Sequence, residues 1–174
     1  MMKWLIISEQ YLAYLRTYEQ RIPLSDYGKD RFKPFFGILF ETDALYYVTQ
    51  ISSAKERHKS MKQNLDFFKL YDDKTNKLLA VVNLNYMFPV PKSEAIYLDY
   101  NKIQEHRDFH SEKQKSQYIS FLKLELKLIN QLSLSDAAQK LYQLKESYPE
   151  HFISKRCLDF KQLDDLAENY INTC

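Results

Sequence analysis

The pattern of apolar residues changes once along this chain, near residue 111, and that change restricts the fold more than any other feature of the sequence. Before it, runs of aromatic and β-branched residues predict short strands, at Lys3–Ile7, Phe35–Glu41, Leu45–Ile51, Phe67–Tyr71, Leu78–Leu84 and Ile96–Leu98. After it, apolar residues three and four positions apart predict helices. Strands that come first and helices that come last indicate an α+β fold with a mostly helical C-terminal half.

Local signals divide the predicted strands. Thr42 and Asp43 separate two strands and residues 72–76 separate two more, so each pair is expected to form an antiparallel hairpin. Pro89 and Pro91 cannot donate to a strand ladder, so they mark an edge strand or a strand boundary.

Small polar residues mark where helices should begin. Ser8, Ser135 and Asp159 each stand before an apolar helical pattern, and their side chains can accept a hydrogen bond from a free backbone N–H. We therefore expect one helix directly after the first strand, and two that follow a long helical segment in the second half.

Length and composition set the class of protein. With 174 residues, 45% of them hydrophobic, the chain is long enough for one buried core and short for two, so we expect one domain over residues 1–174. Cys157 and Cys174 form no CxxC pair, which argues against a disulfide scaffold or a zinc finger and fits a reducing compartment. The apolar run at residues 4–7 is too short for a signal segment or a membrane span, so we expect a cytoplasmic protein without a membrane partner.

Several kinds of chemistry are excluded or disfavoured. Two glycines, Gly28 and Gly37, are too few for the phosphate loops of nucleotide cofactors. His106 and His110 lie four residues apart but lack the glutamate of a zinc-binding helix. The sequence therefore predicts neither a cofactor nor a metal.

Positive charge is concentrated in two windows of the first half. The net charge is only +2, which by itself indicates no polyanionic partner. Residues 29–33, however, carry three cations against one carboxylate, and residues 55–62 carry four against one. A solvated charged face is the plainer interpretation of such windows, and a phosphate-binding surface is the other.

The segment from Gln50 to His58 carries the groups that metal-free RNA cleavage needs. Two hydroxyls, cations and an imidazole follow a predicted strand end there. Such cleavage requires a group that takes the 2′-OH proton, cations that stabilise the phosphorane, and an acid for the leaving oxygen. The alternative is that Ser52, Ser53 and Lys55 only form a turn that opens a charged helix.

Six blocks, in matching order and spacing, resemble the ToxN/AbiQ toxins of type III toxin–antitoxin systems, with CptIN/TenpN-like proteins among them. The blocks are Lys3-Trp-Leu-Ile-Ile-Ser8 with the following tyrosines, Lys33-Pro-Phe-Phe-Gly-Ile-Leu39, Gln50-Ile-Ser-Ser-Ala-Lys55 with Arg57 and His58, Phe68-Lys-Leu70, Val82-Asn-Leu-Asn-Tyr-Met-Phe-Pro89 and Cys157-Leu-Asp-Phe160. Residues 101–150 are similar only in character. Within the third block, Ser52 stands where the family often has Thr, Ala54 replaces a Pro and Arg57 replaces a Trp.

The resemblance implies a compact, strongly bent antiparallel sheet with helices packed around it, similar to the Kid/MazF toxin fold. It implies a sequence-preferring, metal-independent endoribonuclease that cleaves single-stranded RNA by 2′-OH attack and leaves a 2′,3′-cyclic phosphate. The implied partners are cellular mRNA substrates and an antitoxin RNA, a repeat-derived pseudoknot that closes toxins and RNAs into a ring-like assembly, with no protein antitoxin. The implied outcome is growth arrest and abortive phage infection.

With the resemblance counted, the residues divide into two groups. Catalytic roles are predicted for Ser53, which would orient or deprotonate the 2′-OH, for Lys55 as the cation at the phosphorane, and for Ser52 and Tyr11 in support. RNA-binding roles are predicted for Lys33, Arg31, Tyr27, Arg57, His58 and Lys59. Tyr11 and Tyr27 would stack on bases, although a helical tyrosine is as often part of a core. His58 is either a proton donor or a residue on a helix surface.

Two other functions remain open at this point. One is a non-catalytic RNA-binding module that uses the same groove. The other is a protein-interaction domain on which the cationic segment has no function.

Overall fold

A computed structural model describes residues 1–28 and 30–173 of the chain. Within them the strands are β1 (Lys3–Ile7), β2 (Phe35–Glu41), β3 (Leu45–Thr49), β4 (Ile51–Ser53), β5 (Phe67–Tyr71), β6 (Leu78–Asn83), β7 (Phe88–Pro91) and β8 (Ala95–Tyr97). The α-helices are α1 (Glu9–Arg16), α2 (Glu56–Ser60), α3 (Glu112–Asn130), α4 (Leu134–Ser147), α5 (Phe152–Arg156) and α6 (Phe160–Thr173). Three short 3₁₀ segments cover residues 84–86, 92–94 and 100–105 of the described chain.

The strands form two antiparallel sheets. One has five strands in the order β7-β3-β2-β1-β8, and the other has three in the order β4-β6-β5. Both predicted hairpins are present, as the pairs β2–β3 and β5–β6. The predicted α+β class with an antiparallel sheet is therefore confirmed, although the sheet is divided in two.

The division falls at Gln50. We expected one strand from Leu45 to Ile51, but β3 ends at Thr49 and β4 begins at Ile51. Strand β3 pairs with β2 and β7, whereas β4 pairs with β6 in the second sheet. At this point the chain thus passes from one sheet to the other through a single residue.

Pro89 and Pro91 lie in an edge strand, which is one of the two positions predicted for them. Pro89 and Pro91 belong to β7, which pairs with β3 on one side only. The missing N–H groups remove no hydrogen bond from the ladder interior.

The helices cover the sheets. Helix α6 packs on β7, α4 on β2 and α3 on β5. Trp4 of β1 donates its indole N–H to the Leu122 carbonyl of α3 at 2.9 Å, which fixes that helix to the large sheet. The core between these layers is aromatic and aliphatic, with Phe35, Phe36 and other side chains fully buried.

Two of the three predicted caps are confirmed. Ser8 accepts from the Tyr11 N–H before α1, and Asp159 accepts from the Gln162 N–H at 3.0 Å before α6. The prediction for Ser135 is wrong, because α4 already begins at Leu134, whose side chain is fully buried. Helix α5 was missed, since its five residues are too few to show a period.

An ion pair joins α5 to the small sheet. Arg156 donates from Nε to Asp66 Oδ2 at 2.5 Å and from its terminal nitrogen to Asp66 Oδ1 at 2.6 Å. The Leu158 N–H donates to the Asn85 carbonyl at 2.9 Å nearby. The Cys157–Phe160 block thus anchors the helical C-terminal part to the strands.

No helix in the described residues is long and apolar enough to cross a membrane.

Candidate active site

Strand β4 separates two cavities. Ser52 lines a cavity of about 240 Å³ together with Tyr27 and Gln50, and Ser53 lines another of about 160 Å³. The two hydroxyls face opposite sides because successive side chains alternate along a strand. We expected both serines on a loop after a strand, and this is wrong: they belong to β4 and pair with Val81 and Ala80 of β6.

Lys33 lines both cavities, so it lies where the two meet. Three hydrogen bonds hold the backbone around it. The Lys33 N–H donates to the Ser25 carbonyl at 2.8 Å, the Gln50 amide donates to the Lys33 carbonyl at 3.2 Å, and the Tyr118 hydroxyl donates to the Phe32 carbonyl at 2.9 Å. The ammonium group itself has no ion pair within residues 1–28 and 30–173.

Gln50 is the residue that connects the loop before β2 to the sheet junction. Besides Lys33, it donates to the Leu24 carbonyl at 2.6 Å, and it accepts from the Tyr27 hydroxyl at 3.4 Å. The Tyr27 ring is 46% exposed and lies 5.5 Å from the Lys33 ammonium. An exposed ring beside an unpaired cation can stack on a base while the cation holds its phosphate.

His58 holds the backbone of Lys55. The Lys55 N–H donates to His58 Nδ1 at 3.0 Å, and the His58 N–H donates back to the Lys55 carbonyl at 2.9 Å. The Lys55 side chain is exposed and has no ion pair in the described part of the chain. The two reciprocal hydrogen bonds therefore fix the backbone of Lys55 at the start of α2, while its side chain stays free.

The His58 ring is 5% exposed, so the interpretation as a helix-surface residue is wrong. Burial, with Arg57, Lys55 and Lys69 in addition, lowers the pKa of His58. Because Nδ1 accepts a hydrogen bond, the neutral ring carries its proton on Nε2. Arg57 Nε, 3.4 Å from His58 Nε2, is then in close contact with an N–H group and makes no true hydrogen bond to it.

The other predicted RNA-binding cations do not line these two cavities. Arg57 lines a third cavity, which shares Asn83 and Tyr86 with the Tyr27 cavity. Lys59 pairs with Glu56 at 2.7 Å and Arg31 is exposed. Lys29, which contributed to the first basic window, lies outside the described residues.

Tyr11 is not part of this groove. Its ring is fully buried, it contacts Tyr170 edge-on at a centroid distance of 5.0 Å, and its hydroxyl donates to the Pro89 carbonyl at 2.7 Å. Burial raises its pKa further above the ordinary range. A ring without exposed surface cannot stack on a base, so this position favours the alternative of core packing.

Two groups of the Ser53 cavity were missed by the sequence reasoning. Glu125 is only 7% exposed, and burial raises its pKa to about 7 although the charge of Lys33 opposes the shift. Arg107 has a buried Nε without a hydrogen-bond partner. Glu125 stands three residues from both Leu122 and Leu128 on the buried face of α3, and that spacing is the signal that could have revealed it.

An acidic cleft elsewhere is less suited to phosphates. It has a volume of about 460 Å³ and is lined by Glu9, Asp26, Glu94 and Glu105, whose charges would repel a polyanion. Within residues 1–28 and 30–173 there is no cluster of His, Cys, Asp and Glu that could hold a metal ion.

These features define a class: a small α+β protein with a groove, beside a short strand, that is lined by an unpaired lysine, serine hydroxyls and an exposed aromatic ring. Such a groove suits a chain of phosphates with unstacked bases.

Comparison with known proteins gives the family. The family model described as "Toxin ToxN, type III toxin-antitoxin system" matches residues 3–168. The chain belongs to this family.

Two curated proteins named Endoribonuclease ToxN are similar to the chain. The one from Pectobacterium atrosepticum is 32% identical over 101 residues, which is 56% of the chain and 59% of that protein. The one from Bacillus thuringiensis subsp. kurstaki is 24% identical over 173 residues, which is 97% of the chain and 84% of that protein. The chain thus spans less than two thirds of the first relative in the matched region.

Solved structures share the fold. A type III toxin described with selective inhibition by a non-coding RNA pseudoknot superposes with a TM-score of 0.76 at 21% identity, over 98% of each chain. AbiQ, described as a lactococcal anti-phage endoribonuclease of a type III system, gives a TM-score of 0.76 at 21% identity over 99% of each chain.

Proposed function

We propose that this chain is the endoribonuclease toxin of a type III toxin–antitoxin system, which cleaves single-stranded RNA without a metal. The observation that carries the proposal is that Ser53 and Lys33 line one cavity, while Lys55 follows two residues later on a backbone held by His58. The family and the names of both curated relatives support the same activity.

The residues divide the reaction between them. Lys33, and Ser52 from the other face of β4, hold the backbone phosphate. Ser53 orients the ribose 2′-OH, which attacks the adjacent phosphorus as its proton leaves. Lys55 stabilises the negative charge that grows on the phosphorane, an effect larger in the transition state than in the ground state. The P–O5′ bond breaks, the leaving O5′ takes up a proton from water in place of the one that the 2′-OH lost to water, and a 2′,3′-cyclic phosphate and a 5′-hydroxyl result.

His58 is not the acid in this scheme. Its lowered pKa keeps the ring neutral near pH 7, and its Nδ1 lone pair is occupied by the Lys55 N–H. We assign it the positioning of Lys55.

The antitoxin is an RNA. We propose that it is a pseudoknot cut from a repeat precursor, which binds back into the groove and forms a ring-like assembly with the toxin in the cytoplasm, with no protein antitoxin. The similarity to a toxin described with selective inhibition by an RNA pseudoknot supports this. Free toxin would cleave cellular mRNA, arrest growth and abort phage infection, as AbiQ is described as anti-phage.

Expression without the antitoxin RNA tests the activity. Wild-type protein should arrest growth, and mapped RNA ends should carry 5′-hydroxyls, with cleavage in vitro unaffected by EDTA. Lys55→Ala and Ser53→Ala should restore growth while they melt like wild type. Soluble wild-type protein that binds RNA without cutting it would instead indicate a non-catalytic RNA-binding module.

Binding and chemistry can be separated with Lys33. If it holds a flanking phosphate, it acts on ground and transition states alike, so Lys33→Ala should weaken binding and flatten its salt dependence. Lys55→Ala should instead lower the single-turnover rate at saturating RNA by about a hundredfold or more. A Lys55→Ala protein that cuts saturating RNA at the wild-type rate would remove Lys55 from the chemistry.

A further inference from the structure

The cavity beside Ser53 has more polar and aromatic groups than the binding of a phosphate requires. Its polar groups include Glu125 from α3 and Arg107, and its wall includes the rings of Tyr118 and Phe121. We call these four residues the Glu125 pocket. Lys33 and Ser53 lie at the same cavity, so the pocket adjoins the proposed site of cleavage.

Glu125 is a buried acceptor without a partner. The residue is only 7% exposed. Within the described part of the chain its carboxylate makes no hydrogen bond or ion pair. Lys33 acts on it only through space. An ionised carboxylate in such a position is costly unless water or a ligand in the cavity supplies hydrogen-bond donors.

Arg107 offers the complementary group. Its Nε is buried and unpaired, while its guanidinium lies over the Tyr118 ring at 4.2 Å. The pocket therefore brings an acceptor without a partner and a guanidinium together between aromatic side chains. That is the pattern of groups which binds the edge and the face of a nucleobase.

We propose that the Glu125 pocket is a base-specific subsite, which takes one nucleobase with an exocyclic amino group, namely adenine, cytosine or guanine, next to the phosphate held by Lys33. This inference rests on the proposed ribonuclease activity. Glu125 accepts the amino N–H, the Arg107 guanidinium donates to the neighbouring ring nitrogen or carbonyl, and Phe121 stacks on the base.

The Glu125 carboxylate should disfavour uracil in this pocket. An ionised carboxylate only accepts hydrogen bonds, and its two oxygens suit a base edge on which an N–H donor is not enclosed by acceptors. Uracil has a single N3–H between two carbonyls, so one of them would face the carboxylate. The phosphate contact of Lys33 carries no such selectivity.

The test compares cleavage sites of wild type and Glu125→Gln on a mixed-sequence RNA at pH 8, with all 5′ ends sequenced. Wild type should disfavour uracil about tenfold at one fixed position beside the cut. The glutamine amide both donates and accepts, so Glu125→Gln should raise uracil about tenfold at that position and at no other. Glu112→Gln, an exposed change in the first turn of the same helix, should leave every preference as in wild type.

A second variant tests the stacking. Phe121 is 41% exposed, so Phe121→Ala keeps the fold; it should lower single-turnover cleavage about tenfold with unchanged base preferences. A Phe121→Ala protein as fast as wild type would contradict stacking in this pocket.

The outcomes separate the two proposals. If wild type cuts RNA and Glu125→Gln shows the same base frequencies at every position, the base subsite is refuted while the nuclease stands. If wild type cuts nothing, the ribonuclease proposal fails and the subsite fails with it.

Discussion

At the scale of single residues, the buried imidazole of His58 holds the backbone from which the exposed Lys55 side chain extends. His58 accepts the Lys55 N–H at 3.0 Å, and its ring is buried with the Phe67 ring 6.0 Å away. His58→Ala should lower the single-turnover rate at saturating RNA about tenfold to a hundredfold, since a displaced catalytic group loses rate steeply with distance. RNA affinity should change little.

The matched variant is His58→Asn, whose side-chain oxygen can accept the same N–H. It should recover most of the rate, whereas a purely structural role would show only in the melting temperature. Wild-type cleavage by a correctly folded His58→Ala protein would contradict the positioning role.

Glu125 makes stability depend on pH. Burial raises its pKa in the folded protein to about 7, and the unfolded value is near 4.3. Between these two values the folded state binds more protons than the unfolded state, so stability falls as the pH rises through this window. The loss is complete about one pH unit above the folded-state pKa and amounts to about 4 kcal/mol.

Glu125→Gln removes that dependence. The stability of the variant relative to wild type should therefore increase from pH 5 to pH 8, as measured by urea unfolding at both values. Glu112→Gln serves as the exposed control. If the difference in unfolding free energy between Glu125→Gln and wild type is the same at both pH values, the pKa of Glu125 is not raised in the folded protein.

At the scale of elements, the close approach of β1, β2 and β3 depends on Gly37. A Cβ built there would lie 2.9 Å from Val48 Cγ1 and 3.0 Å from Leu5 Cδ1. Gly37→Ala should destabilise the fold by about 1–3 kcal/mol, because extra volume in a packed core forces its neighbours to move. Chemical unfolding would measure this.

The cause can be tested by combining variants. Val48→Ala removes the nearest atom, so the double variant should lose less stability than the sum of the two single variants. Strict additivity would show that the contact with Val48 does not determine the cost.

Period and propensity predicted most elements closely, and the failures have physical causes. The bounds of β1, β2 and β5 match the predictions, because each combines strand-forming residues with a clear turn or cap beside it. The break at Gln50 was missed, since a strand pattern does not record which neighbour the strand pairs with. A chain leaves one sheet for another without any change in alternation.

The candidate site was predicted in part. The position of Lys33 in the site depends on the loop between α1 and β2, which Gln50 holds by hydrogen bonds to the Leu24 and Lys33 carbonyls. Contacts of this kind join residues far apart in sequence, and no local pattern announces them. Glu125 was missed because a charged residue in a leucine-rich helix is ordinarily exposed.

At the scale of the whole molecule, the Asp66–Arg156 pair connects the strand-rich and helical parts of the chain. The Asp66 side chain is 3% exposed and that of Arg156 is 47% exposed. Arg156→Ala leaves a buried carboxylate without its donors, and should cost about 1–3 kcal/mol in urea unfolding. Arg156→Lys should recover part of this, since a lysine cannot form the two-pronged contact.

An exposed pair provides the control. Lys140 and Asp136 on α4 are 62% and 67% exposed, and Lys140→Ala should cost less than about 1 kcal/mol. A double-mutant cycle with Asp66→Asn isolates the coupling of the buried pair. Equal losses for Arg156→Ala and Lys140→Ala would show that burial of Asp66 adds nothing.

The alternation of Ser52 and Ser53 across β4 limits the shape of any RNA that fills both cavities. A strand that reaches both sides of β4 must spread two neighbouring bases apart, one toward Tyr27 and the other toward Phe121. Bases inside a double helix are stacked and paired, and they cannot separate in this way without melting. Under the proposed activity, folded transcripts should therefore be protected wherever they are paired and cut at their junctions, loops and loose ends.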